Sequence, residues 1–276
     1  DKKNGQPSLL LGMLTGLLLI TRNSEVVFLV FLLLMFGFRK DRQVSWFTGV
    51  FKHWKAFGLG AVIALTPQVG YWFYVTGLPV VYSYNNPGEG FDLLGPHTLD
   101  FLFSFRKGWL VYTPLMVFAV LGLRSFSKVD RQWSLSVFWM LIFTIYLLSA
   151  WTTWWYAASF GQRSMVQSYA LLALPLAGVI QSVLKQKRVE VLILFAVLTG
   201  WNLFQTYQFE KGIIDPTRMT KEAYFAHLFR VEPLDEKGKR LLLVNRSTDG
   251  VDFIPENPIL RKTWIQSFES DSAISR

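Results

Sequence analysis

Seven apolar stretches dominate the chain, at roughly Leu9–Ile20, Val26–Phe38, Phe57–Val75, Trp109–Leu123, Trp133–Ala150, Tyr169–Leu184 and Val191–Phe204. A helix that crosses a bilayer needs about 20 residues, with about 17 as a working minimum. The third and fifth stretches meet that length, and the fourth, sixth and seventh reach it with their flanks. The first two are shorter, and only Thr21-Arg22-Asn23-Ser24-Glu25 separates them. They read as two short helices meeting at a polar break. A turn over Arg22–Glu25 must face protein or water, because lipid cannot satisfy exposed backbone groups. Composition agrees: 51% of residues are hydrophobic and 17% charged, against about 25% charged in soluble domains. The expected fold is an all-α polytopic membrane protein with about five full spans plus the pair of short helices. Its transmembrane domain covers residues 1–204, including a long extracytoplasmic loop at 77–108, and a small extracytoplasmic tail covers 205–276.

The net charge of +9 raises the question of nucleic acid, and the placement of the charges answers it. Lys2 and Lys3, then the segments 39–56, 124–132 and 185–190, hold thirteen lysines and arginines. All fall on one side if the stretches cross or turn back in alternation. Positive charge concentrates on the cytoplasmic side of membrane proteins. The tail balances eleven basic residues with eleven acidic ones and emerges on the opposite, extracytoplasmic side. The charge is therefore a topology signal, and no nucleic-acid partner is expected. Within the tail, Leu241–Val244 followed by Thr248-Asp249-Gly250 reads as a strand and turn, and Met219–Phe229 as a short amphipathic helix.

The absence of cysteine excludes disulfides, thiol nucleophiles and Cys-ligated zinc, and suits an oxidising compartment such as the bacterial periplasm. His53, His97 and His227 are far apart, and no HExxH pair exists, so no transition-metal site is expected.

Four cations depart from the charge pattern. Arg22, Arg106, Lys107 and Arg163 all lie on the extracytoplasmic side of this topology, near apolar boundaries. Intramembrane cations are costly and are usually paired or functional. Arg22 has Glu25 nearby as an ion-pair partner, and snorkelling to headgroups is an alternative for Arg106 and Lys107. Taken together they suit an anion at the outer interface, such as a lipid-linked phosphate, which the planar arginine fork binds bidentately.

Aromatic residues gather on the same side: Trp151, Trp154, Trp155 and Tyr156 before Arg163, and Tyr82 and Tyr84 before Asn85-Asn86-Pro87-Gly88. Tryptophan and tyrosine favour membrane interfaces, so an aromatic belt competes with a sugar or prenyl groove. Clustering beside cations favours the groove for Trp154, Trp155 and Tyr156. In the loop 77–108, Pro79, Pro87, Gly88, Gly90, Gly95 and Pro96 oppose regular helix. The loop acids Glu89, Asp92 and Asp100 are either ordinary solvated groups or a general base or ligands for a divalent cation, Mg²⁺ or Mn²⁺.

The residues now quoted resemble a known family. Leu17–Ile20 running into Thr21-Arg22 is similar to a break between short helices in GT-C class membrane glycosyltransferases. Phe103–Leu115, ending in Thr113-Pro114-Leu115, and Ser159-Phe160-Gly161-Gln162-Arg163-Ser164 leading to Ala173-Leu174-Pro175 resemble the bacterial dolichyl-phosphate-mannose mannosyltransferase-like group. The similarity covers about Leu9 to Ala177. It implies a multi-span helical enzyme of the bacterial inner membrane, with a periplasmic tail, that transfers sugar from a polyprenyl-phosphate donor at the outer face. The family's catalytic carboxylate lies in the first extracytoplasmic loop, and nothing before Leu9 corresponds to that loop. The chain therefore reads as the C-terminal part of such an enzyme, and the catalytic role is transferred to neither Asp92 nor Asp100. Two other readings use the same features: a transporter or flippase of a lipid-linked glycan, and a subunit of a membrane complex that docks through the tail. Inverted repeats would favour the transporter, and none is visible.

Overall fold

The computed structural model describes residues 5–21, 27–29, 31, 34, 53–81 and 89–243. Arg22, Glu25, Tyr82, Tyr84 and the sequence from Val244 onward lie outside these, and with them the break between the first two apolar stretches. The described residues are helical, and four helical segments are long and apolar enough to cross a membrane: Trp54–Thr76, Arg131–Ser149, Arg163–Lys185 and Val189–Glu210. Their outer surfaces expose Leu59, Val62, Phe73, Ile193, Val197 and Leu203. That is the inverse of a water-soluble surface and the pattern expected of helices solvated by lipid.

The chain forms two compact units, one from residues 1–85 and 135–143, the other from 86–134 and 144–276. In the first unit, α1 (Gln6–Thr21) packs on α2 (Trp54–Thr76). Both helices are apolar around their whole circumference, so burial of an apolar stripe does not choose the contact face. Small residues choose it. Gly12 and Gly16 on α1, and Gly60 and Ala64 on α2, repeat at four-residue spacing and let the backbones meet. A Cβ on Gly60 would stand 2.1 Å from the Leu9 carbonyl oxygen, and one on Gly12 would stand 1.9 Å from that of Phe57. The helix α2 ends where Gly77 adopts φ 73° and donates its N–H to the Phe73 carbonyl, the left-handed termination that glycine permits.

The second unit opens with a stretch expected to be irregular. Thr98–Phe103 is instead a short helix, α3. The prolines and glycines all precede it and leave its own six residues free to coil. Next, Trp109–Leu123 does not form one span. It breaks into α4 (Trp109–Tyr112) and α5 (Met116–Phe126). Pro114 lacks an N–H to continue the ladder and pushes Thr113 out of the helical region. The helix α6 (Arg131–Ser149) follows, contributing residues 135–143 to the first unit. Its first turn is capped by the Asp130 carboxylate, which accepts the Trp133 N–H at 2.9 Å. Asp130→Ala should lower stability by about 1 kcal/mol, read as a shift in thermal unfolding of the detergent-solubilised protein.

After the loop 150–162 comes a short 3-10 helix at Arg163–Ser168, continuous with α7 (Tyr169–Lys185), and then α8 (Val189–Glu210). Gly122 of α5 meets α7 where a Cβ would lie 2.6 Å from the Pro175 carbonyl oxygen. Beyond α8, described residues as far as Leu242 pack back on the second unit. Ile214, Met219, Ala223 and Tyr224 share a buried cluster with Tyr112, against which Phe105, Phe160, Phe209 and Leu228 pack. The short helices α9 (Lys221–Ala226) and α10 (Glu236–Lys239) belong to this region. The helix expected in Met219–Phe229 is therefore present as α9. Leu241 and Leu242, expected to open a strand, lie in a turn and a bend instead.

Candidate functional site

The turn between α3 and α4 carries Arg106 and Lys107, and three local contacts fix its shape. The Gly108 N–H donates to the Ser104 carbonyl at 2.6 Å, and the Arg106 N–H donates to Ser104 Oγ at 3.1 Å. Across the turn, the buried Tyr112 hydroxyl donates to the Phe105 carbonyl at 2.7 Å. Glycine is required at 108, since a Cβ there would lie 2.5 Å from the Ser104 carbonyl oxygen.

Facing this turn is the loop after α6. Tyr156 and Ala157 have φ of 48° and 55°, and Gly161 has φ of 50°. Two consecutive non-glycine residues in the left-handed region are unusual, and such strain persists only where surrounding contacts impose it. Those contacts are present. The Tyr156 hydroxyl donates to the Leu148 carbonyl at 2.9 Å, and Gln162 Nε2 donates to the Trp154 carbonyl at 3.0 Å. On its other flank the loop is bridged to residues 90–92, where Phe91 and Trp151 pair in antiparallel fashion and their rings meet at 4.8 Å.

The strained backbone aims the Ala157 carbonyl at Lys107. Lys107 is only 1% exposed, and its Nζ donates to that carbonyl and, at 2.7 Å, to Ser159 Oγ. Burial lowers the Lys107 pKa to about 7, assisted by the nearby charges of Arg163 and Arg106 and opposed by Asp215. Arg106 lies over the Trp155 ring, its guanidinium carbon 3.5 Å from the centroid, while its Nε donates to the Thr217 carbonyl at 2.7 Å. Arg163 is exposed, and its guanidinium makes no hydrogen bond or ion pair with a described residue.

Three of the four cations singled out in the sequence thus share one neighbourhood. Arg22 lies outside the described residues. The neighbouring acid is Asp215, whose Oδ1 already accepts the N–H groups of Thr217 and Arg218 at 2.9 and 2.7 Å. Arg106, Lys107 and the exposed Arg163 thus stand near one another with Asp215 beside them, and grouped basic side chains of this kind can receive an anion.

The aromatic residues take a different part from the one expected. Trp154 and Trp155 are both buried. Trp154 packs between His97 and Trp155, and Arg106 covers the face of Trp155. Neither tryptophan offers an open face to a sugar in this conformation; Trp155 carries Arg106, and Trp154 packs against Trp155. Tyr156 is half-buried and lies next to the carbonyl that Lys107 holds. Tyr82 and Tyr84 lie outside the described residues.

The loop acids are dispersed. Asp92 Oδ1 accepts the Gly95 N–H at 2.9 Å, a turn-stabilising contact. Asp100 is exposed and 3.9 Å from His97 Nδ1. Glu89 is half-buried. Among the described residues no three histidines or carboxylates converge on a metal position. Sequence reasoning missed Asp215 and Thr217, which sit in a tail read as balanced in charge. The Asp215-Pro216 pair is a turn signal that marked the place, although nothing local linked it to Arg106. Comparison with known proteins adds no relative: no family model, curated protein or solved structure matches the chain.

Proposed function

We propose that this membrane protein binds a lipid-linked phosphate at Arg106, Lys107 and Arg163, as part of the machinery that transfers sugar from a polyprenyl-phosphate donor. The observation that carries the anion site is the buried Lys107 side chain, held by Ala157 and Ser159 near Arg106 and Arg163, with Asp215 beside it, whose Oδ1 already accepts two backbone N–H groups. The sugar-transfer part rests on the sequence resemblance around Phe103–Leu115 and Ser159–Pro175. On this reading the cations stabilise charge developing on the departing phosphate, which is electrostatic catalysis. The same reading assigns the site to the periplasmic face of a bacterial inner membrane, supported by the thirteen basic residues of the opposite connections.

The test is binding of a polyprenyl-phosphate sugar to the purified protein. Arg163→Ala removes a charged hydrogen-bond donor, generally worth about 1.5–3 kcal/mol, and should weaken binding roughly tenfold to a hundredfold. Arg163→Lys should restore only part of it, because the fork is lost. Unchanged affinity in Arg163→Ala and Arg106→Ala, with the fold intact, would leave these cations as headgroup anchors. Equal affinity for a polyprenyl phosphate without sugar would keep the anion site and remove the support for sugar transfer.

A further inference from the structure

The C-terminal half of α8 carries a ladder of rings. Trp201 and Phe204 lie 5.8 Å apart, and Phe204 stacks on Tyr207 at 6.5 Å. The chain beyond α9 folds back onto this ladder, and Phe229 meets Trp201 edge-on at 5.7 Å. Trp201 precedes the end of α8 at Glu210 by nine residues, which is about 13 Å of helix. The turn after α9 therefore reaches back along a membrane-length helix to the level of its aromatic residues.

Two buried side-chain amides of α8 hold this segment. A helix end leaves carbonyls without intrahelical partners. Here the Nε2 of Gln208, a buried side chain on α8, lies 2.9 Å from the His227 carbonyl, 3.4 Å from that of Leu228 and 2.9 Å from that of Arg230. A second buried amide, Gln205, donates to the Tyr224 hydroxyl at 2.7 Å. The same segment turns apolar side chains outward: Phe225 is 54% exposed, Phe229 76% and Val231 55%. They line a shallow groove with Leu228, Arg230 and Glu232. Phe229 joins this patch to Trp201 on α8, whose neighbouring turns expose Leu203 and Tyr207. An apolar patch joined to the outer face of a spanning helix is solvated by whatever solvates that helix.

We propose that Phe225–Val231 is an interfacial anchor, seated in the bilayer boundary that the C-terminal half of α8 reaches, with lipid as the occupant of its exposed face. Amphipathic elements of this kind bury their apolar side several ångströms into the headgroup region. By clamping this segment, Gln208 and Gln205 hold the region that supplies Thr217 to Arg106 against the membrane surface.

The natural absence of cysteine makes the test direct. Single cysteines at Phe229, Val231 and the exposed Lys237 are spin-labelled in the full chain, reconstituted into phosphatidylcholine–phosphatidylglycerol vesicles, and probed for collision with oxygen and with a water-soluble nickel chelate. Labels at 229 and 231 should favour oxygen by several-fold relative to the label at 237, which should favour the chelate. Using two sites keeps the result readable if one substitution perturbs the turn. Chelate accessibility at 229 and 231 equal to that at 237 would place the segment in water and overturn the proposal. Shielding of both labels from both reagents would overturn it as well, in favour of a protein-covered face.

Discussion

Lys107→Met is expected to lower the affinity for a polyprenyl phosphodiester by roughly tenfold to a hundredfold at pH 6, the usual worth of a charged hydrogen bond, and to abolish the pH dependence of binding. A phosphodiester keeps a single charge between pH 6 and 9, so any dependence there belongs to the protein. In the ligand-free protein burial holds the Lys107 pKa near 7. Below that value the ammonium is present and binding is at full strength. Above it the proton must be taken up with the ligand, and affinity should fall by up to about tenfold per pH unit, as proton linkage requires.

The sign for stability is the opposite. The folded-state pKa of about 7 is depressed from the ordinary 10.5, so between these values the unfolded chain binds a proton that the folded chain does not. Stability should therefore rise with pH across that window, and the burial penalty should be fully present below pH 7. In Lys107→Met this slope disappears. Unfolding midpoints of the two proteins at pH 6 and pH 9.5 give the comparison. Parallel shifts in both would show that Lys107 is not the titrating group.

The second large effect is a reversal of sign within one helix. Gly60→Ala is expected to destabilise the protein by about 1–3 kcal/mol, the range for overpacking, because the new methyl would meet the Leu9 carbonyl at 2.1 Å. That neighbour is backbone and yields only if α1 moves off α2. Gly58→Ala, one turn face away on the same helix, meets nothing within 4 Å and should stabilise by up to about 1 kcal/mol through helix propensity. Gly12→Ala should behave like Gly60→Ala, and Gly70→Ala, which also has open space around it, like Gly58→Ala. Thermal unfolding in one detergent ranks all four. If Gly60→Ala and Gly58→Ala shift the midpoint in the same direction, close backbone approach is not what joins α1 to α2.

The stretches at Phe57–Val75, Trp133–Ala150, Tyr169–Leu184 and Val191–Phe204 were legible as spans because their information is local. A run of apolar residues excludes itself from water whatever surrounds it, and a helix satisfies its own backbone without a partner. The cations Arg106, Lys107 and Arg163 were legible as exceptions for a similar reason, since each stands at an apolar boundary on what the charge pattern makes the side poorer in such charges. Pro114 carried its own warning, yet the apolar content of Trp109–Leu123 outweighed it in the reading. The structure shows the helix broken there.

The rest was decided by contacts between residues far apart in the chain. Arg106 binds the Thr217 carbonyl across 111 positions, and Lys107 binds Ser159 across 52. No periodicity or composition encodes such a pairing. It arises from packing Tyr112, Met219 and Tyr224 into one cluster, and that packing carries the segment after α8 to the turn that holds the cations. The same holds for the tryptophans. Their residue type promised an aromatic surface, but only tertiary burial decided that Trp154 and Trp155 would turn inward, with Trp155 under Arg106, because a side chain's exposure depends on what the fold brings against it.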